Sequence, residues 1–138
     1  MLFCVGAYAG TVTLSPADLD AIKQTAQNYA NGWYSGNRAQ MESSLHDKLA
    51  KRAYLPNKNG KRVLDEMGKE SLANATKPEN AQRYANTAKL ANVEILDGFG
   101  NAATVKLQMN DWVDYMHVVR TENNEWRVIN VLWELNAK

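Results

Sequence analysis

Ala102-Ala103-Thr104-Val105-Lys106-Leu107-Gln108-Met109 alternates apolar and polar residues one by one, with Ala103, Val105, Leu107 and Met109 on one side and Thr104, Lys106 and Gln108 on the other. That is the pattern of a strand with one dry and one wet face. Outward from it the same period of two recurs in Leu90–Leu96, Trp112–Thr121 and Trp126–Leu135, separated by compact turns. Gly98-Phe99-Gly100-Asn101-Ala102-Ala103 has the glycine spacing of a dinucleotide-binding loop. Such a loop needs a helix N-terminus aimed at the pyrophosphate, whereas the residues after Gly100 alternate as a strand, so a hairpin turn is the reading adopted.

The chain before this run of strands has a different period. Ser15-Pro16-Ala17-Asp18 is a helix start, with Ser15 to cap, Pro16 at the first helical position and Asp18 in the first turn. Leu19, Ile22, Ala26, Tyr29, Ala30 and Trp33 then share one face up to about Ser35, where Gly36 supplies a left-handed stop. Asn37 is placed to cap a second, shorter helix carrying Met41 and Leu45. Leu49–Leu55 and Lys61–Leu64 are expected to be two short strands around Pro56-Asn57-Lys58-Asn59-Gly60, and Asp65 to cap a third helix carrying Met67, Leu72 and Ala75 that stops near Lys77, before Pro78. Glu79–Thr87 shows no clear period. Helices first and antiparallel strands afterwards give an α+β domain over residues 15–138, with about three N-terminal helices on a mainly antiparallel sheet.

Composition limits the function. The 138 residues suffice for one domain, and 16 Lys plus Arg against 15 Asp plus Glu leave a net charge of +1, without the basic excess that nucleic-acid binding needs. One cysteine, Cys4, excludes an intrachain disulfide and a multi-thiolate zinc site, and with His46 and His117 the only histidines no metal site is expected. No cofactor is expected either. No stretch has the apolar length of a membrane span. Leu2-Phe3-Cys4-Val5-Gly6-Ala7-Tyr8-Ala9 is a short apolar run with a small-x-small ending, so residues 1–14 are expected to be a signal remnant or a tail; a signal implies export, a tail does not. Lys48, Lys51, Arg52, Lys58, Lys61 and Arg62 form an acid-free stretch that is either a lysine-defended edge or a rim for an anion.

If Asn123-Asn124 is a two-residue turn, the last two strands sort their side chains in register. Trp112, Asp114, Met116, Val118, Ile129, Val131 and Trp133 then share one face, and Val113, Tyr115, His117, Val119, Trp126, Val128, Asn130 and Leu132 the other. Both faces are apolar enough to require cover, one by helices and the other by a second subunit. Asp114, set among Trp112, Met116 and Trp133, would lose hydration and so become a candidate general acid or base; it is equally read as a structural acid satisfied by hydrogen bonds or an arginine. His117, beside Tyr115 and Asn130, is a candidate ligand contact or proton shuttle, or a histidine at a subunit contact. Tyr29, Trp33, Trp112, Trp126 and Trp133 line an aromatic pocket or simply fill the core.

Taken together, Tyr29-Ala30-Asn31-Gly32-Trp33-Tyr34-Ser35-Gly36-Asn37, Leu45-His46-Asp47-Lys48-Leu49-Ala50-Lys51-Arg52, Val113-Asp114-Tyr115-Met116-His117-Val118-Val119 and Glu125-Trp126-Arg127-Val128-Ile129-Asn130 resemble the putative lumazine-binding branch of the nuclear-transport-factor-two-like (SnoaL-like) superfamily. The resemblance implies a cone-shaped α+β fold, three helices against a strongly bent sheet, a pocket in the mouth and dimerisation through the outer face of the sheet. It also implies that His46, Arg52 and Asp114 occupy the branch's recurring positions. Three functions are carried forward. The first is a dimeric domain binding a small apolar or aromatic molecule through Tyr29, Trp33, His46, Arg52, Trp112, Asp114, Tyr115 and His117. The second is a cofactor-independent isomerase, cyclase or dehydratase using Asp114 or His117, and the third a protein-interaction module using the outer sheet face.

Overall fold

A computed structural model describes residues 13–137; the signal-like run Leu2–Ala9, with Cys4, lies outside the described residues. The first helix, α1 (Pro16–Ser35), begins where Ser15 and Asp18 form a reciprocal capping box and ends at Gly36, whose φ of 64° is left-handed. Gly36 is also required by space, because a Cβ there would lie 2.0 Å from the Lys77 carbonyl oxygen. Asn37 caps α2 (Arg38–Ser44) by accepting from the Gln40 amide. The chain continues as β1 (Leu45–Pro56), β2 (Arg62–Met67), α3 (Lys69–Ala75), α4 (Glu79–Arg83), β3 (Ala91–Phe99), β4 (Ala102–Met109), β5 (Trp112–Arg120) and β6 (Trp126–Leu135).

The fold is α+β, with the helices on one six-stranded sheet of order β2-β1-β6-β5-β4-β3. Every pair is antiparallel except β1 with β6, which is parallel. Ile22, Ala26, Tyr29 and Ala30 of α1 are buried with Val105, Leu107, Met109, Met116, Val118, Val128 and Val131 of the inner sheet face. Apolar burial of this kind contributes roughly 1.5–3 kcal/mol for each large side chain.

Three expectations are corrected. Asp65 does not cap a helix: Asp65 and Met67 pair with Ala53 and Lys51, so β2 extends to Met67 and Gly68 precedes α3, which ends at Ala75. Pairing along the β1 edge outcompetes the local capping signal. A fourth helix, the single turn α4, follows Pro78 in the segment without a clear period. Finally, the β5–β6 turn is longer than two residues. The Thr121 amide donates to the Glu125 carbonyl at 2.8 Å, Asn124 takes a φ of 59°, and Glu122-Asn123-Asn124 form the loop.

A bulge in β6, opposite the His117–Val118 step of β5, leaves Ile129 unpaired. The longer loop and the bulge cancel from His117 to Trp112, so Asp114 still faces Trp133 across the strands. Between bulge and turn they do not cancel. Trp126 and Val128 are therefore on the inner face, buried with Val118, rather than beside His117.

Asp18 clamps α1 to the sheet. Its Oδ1 accepts from Arg120 at 3.0 Å and from the Trp126 indole at 3.2 Å, and its Oδ2 accepts from the Ser15 hydroxyl at 2.9 Å. The Ser15 bond, foremost among these contacts, holds the Asp18 carboxyl below its usual 3.8. A depressed carboxylate stabilises the fold fully above its unfolded value and progressively less as pH falls through the folded one. Urea midpoints should show Asp18→Asn less stable than wild type at pH 7, with the gap shrinking steadily once the pH drops below 3.8. A pH-independent gap would assign the loss to packing.

Candidate functional site

Leu49, Lys51 and Ala53 of β1 share the inward phase of the strand, while Ala50, Arg52 and Tyr54 do not. Lys51 therefore enters the core although it is a lysine. It is 4% exposed, and Asp114, which reaches it from β5, is 0% exposed. Lys51 Nζ lies 2.6 Å from Asp114 Oδ1 and donates to Tyr29 Oη at 2.8 Å, while the Trp112 indole donates to Asp114 Oδ2 at 3.0 Å. Both carboxylate oxygens are thus engaged, one by a cation and one by a neutral donor.

Aromatic rings enclose the pair. Lys51 Nζ is 4.9 Å from the Trp133 ring centroid, 5.5 Å from that of Tyr29 and 5.9 Å from that of Trp112. Trp33 meets Trp112 edge-on at 5.3 Å, and Trp112 meets Trp133 at 5.8 Å, so α1, β5 and β6 contribute to one half-buried tryptophan row beside the pair. Burial pulls the Lys51 ammonium below its usual 10.5 against the opposing attraction of Asp114. Burial, reinforced by the Asp114 charge, pushes the Tyr29 phenol well above 10, which keeps it a neutral hydroxyl. Trp133 Nε1 is buried in the cluster without a hydrogen-bond partner among the described residues.

The structure distributes the sequence-selected residues over three places. Tyr29, Trp33, Trp112 and Asp114 meet on the inner face around Lys51. Arg52, Tyr115 and His117 lie on the outer face, where with Ala50, Asn130, Val131 and Leu132 they line a depression of about 430 Å³. His117 Nδ1 is 3.4 Å from Asn130 Nδ2 there. His46 sits at the irregularity where β1 shifts register on β6, its Nδ1 accepting from the Lys48 amide at 3.0 Å, in a separate polar cleft with Glu42, Asp47, Lys69 and Arg127. Among the described residues no group of three or more His, Cys, Asp or Glu is placed to hold a metal, and no helix is long and apolar enough to cross a membrane. Three of the six cations of the basic stretch are paired in place: Arg52 with Glu66, Arg62 with Glu134 and Lys51 with Asp114.

Residues 17–134 match the family described as "Putative lumazine-binding". The chain belongs to this family. Its fold is that of the nuclear-transport-factor-two-like superfamily. An NTF2-like protein of unknown function from Methylobacillus flagellatus KT superposes with a TM-score of 0.74 at 17% identity, covering 93% of this chain and 100% of the other. A protein of unknown function with a cystatin-like fold from Nostoc punctiforme PCC 73102 gives 0.63 at 15% identity, covering 91% and 96%. A ketosteroid isomerase-like protein from Erwinia carotovora atroseptica SCRI1043 gives 0.62 at 11% identity, covering 90% and 100%. At these identities the likeness is one of fold. No curated protein matches the chain.

The residue that sequence reasoning missed in this member of the family is Lys51, counted there with its basic neighbours. Its signal was the shared phase with Leu49 and Ala53. Removing one charge of a buried pair strands the other, at a cost of roughly 3–5 kcal/mol, whereas replacing both by apolar residues of similar volume is often neutral or better. Denaturant unfolding should therefore show Asp114→Ala less stable by about that 3–5 kcal/mol and Lys51→Met/Asp114→Leu near wild type. Equal losses in the single and double variants would mean that the pair itself, rather than its disruption, matters to the fold.

Proposed function

We propose that this domain binds a small, flat, largely apolar molecule against the Trp33–Trp112–Trp133 row, with Lys51, Asp114 and Tyr29 behind it. The observation that carries the reading is the unpartnered indole N–H of Trp133, buried next to an enclosed ion pair. Natural interiors satisfy nearly all buried donors, so an orphan in an aromatic setting marks where a ligand's acceptor oxygen or nitrogen belongs. The family description favours the same ligand class, since lumazine is a planar heterocycle bearing ring carbonyl acceptors. An acid–base reading at Asp114 has less support, because both carboxylate oxygens already hold donors. At His117 it would have to operate on the opposite side of the sheet.

Thermal-shift titration with lumazine and with 2-naphthalenemethanol should give a saturable rise in melting temperature. Trp133→Phe keeps a flat aromatic ring and removes the N–H, so it should weaken binding by about tenfold, the worth of one hydrogen bond. No saturable shift with either compound would sink the reading.

The outer sheet face supports a second role, self-association. Leu132 is 59% and Tyr115 46% exposed there, adjacent across β5 and β6, with Tyr54 and Leu64 exposed on the same face. A C2 dimer would bring this patch against itself. Sedimentation should find a species of twice 15.5 kDa that Leu132→Arg converts to monomer. Because Leu132 is exposed, the monomer itself should change stability by less than about 0.5 kcal/mol.

A further inference from the structure

Two rows of side chains cross the outer sheet face and are centred on β5. Arg52, Leu132, Tyr115, Lys106 and Glu94 lie side by side across β1, β6, β5, β4 and β3, and the neighbouring row runs Ala50, Asn130, His117, Thr104 and Asp97. We infer that two copies of this chain meet face to face about a two-fold axis running along β5, which sets His117 against the second copy's His117 and makes the dimer come apart in acid. The inference rests on the self-association proposed above and names its geometry and its regulation.

Three observations support it. The first is charge. Rotation about β5 lays a strand two places to one side over the strand two places to the other, so Arg52 falls over the second copy's Glu94, and Glu94 over its Arg52. Arg52 is half exposed in its pair with Glu66, and Glu94 is exposed and has no ion pair among the described residues. An axis between β5 and β6 would instead lay Arg52 over Lys106, a like-charge contact that opposes it.

The second is shape. His117 is exposed and borders a depression on each side of β5, one of about 430 Å³ with Tyr115 and Leu132 and one of about 390 Å³ with Phe99 and Thr104. The rotation lays one over the other and covers Leu132 and Phe99, which are 59% and 62% exposed. Facing sheets pack about 10 Å apart, so a side chain standing on the axis meets its own copy.

The third is protonation. Asn130 Nδ2 is 3.4 Å from His117 Nδ1, and because an amide nitrogen only donates, the ring accepts and is neutral in this arrangement. Facing His117 are Thr104 and, diagonally, Lys106 from β4, and Asn130 and, diagonally, Leu132 from β6. One strand further out stand Ala50 and Arg52 on β1, and Asp97 and Glu94 on β3; Arg127, paired with Glu125, lies toward the β5–β6 loop. Neither adjacent strand brings an acid beside the ring, and across the axis it again meets Thr104 and Asn130. Imidazole changes charge between pH 5 and 8, so acid places two cations together with no carboxylate between them.

Sedimentation equilibrium at pH 7.5 and pH 5.0 tests this. The wild-type dissociation constant should rise roughly a thousandfold in acid, about thirtyfold for each imidazole that must lose its proton to dimerise. His117→Gln, which keeps a neutral polar group, should dimerise equally at both pH values. At pH 7.5 Arg52→Glu and Glu94→Arg should each weaken the dimer about tenfold, and the double variant should regain most of that loss. A wild-type dimer indifferent to acid, or a His117→Gln dimer that still dissociates in acid, would overturn the switch while self-association stands. No recovery in the double variant would overturn the axis, and with it the meeting of the two imidazoles. A wild-type monomer at pH 7.5 at every concentration would sink self-association itself and leave the face to a different partner.

Discussion

The contact between Lys51 and Asp114 sets the terms for the inner half of this domain. Two charges with almost no solvent contact must be compensated locally, and the structure supplies the compensation from four elements: the cation from β1, the carboxylate and an indole donor from β5, a phenol from α1 and a ring face from β6. The requirement reaches the topology. Lys51 meets Asp114 only because β1 lies parallel beside β6, and β6 antiparallel beside β5, placing Lys51 opposite Val131 and Asp114 opposite Trp133. The single parallel pair in an otherwise antiparallel sheet is what carries the N-terminal half of the chain into the chemistry of the C-terminal half.

A core designed for stability alone would fill this place with aliphatic side chains, because a buried ion pair seldom improves on well-packed apolar groups. Its presence beside an indole N–H without an acceptor among the described residues makes the arrangement electrostatically complete but short of one hydrogen bond. The two facts point the same way. The ion pair imposes a fixed polar geometry at the base of an aromatic row, and the indole N–H beside it is a donor that no described residue accepts.

Much of this was legible in the sequence, and what was not has identifiable physical causes. The α1 boundaries followed from Ser15, Pro16 and Gly36 because caps are decided within a few residues. The β4 limits and the shared face of Trp112, Asp114, Met116 and Val118 followed from strict alternation, but which face points inward did not, because both faces are apolar. Asp65 misled because a capping signal is local, whereas its fate was settled by the distant edge of β1. Trp126 and Val128 were assigned to the wrong face because a bulge is invisible to periodicity: it adds one residue without any turn signature. The same bulge, offset by the longer loop, preserved the register at Asp114, so the most consequential placement survived two compensating errors.

Lys51 shows where composition misleads. A run of Lys48, Lys51 and Arg52 looks like a solvated edge, and for Lys48 and Arg52 exposure bears that out. A strand, however, alternates faces regardless of residue chemistry, so a cation in phase with Leu49 and Ala53 must either break the strand or find an acid inside. Here the acid that pairs with it is Asp114, two strands away on β5, with its carboxylate 2.6 Å from Lys51 Nζ. The presence of an uncompensated acid and an uncompensated base on faces predicted to be apolar is thus a joint signal: each alone suggests an error in the register, whereas together they predict each other's position.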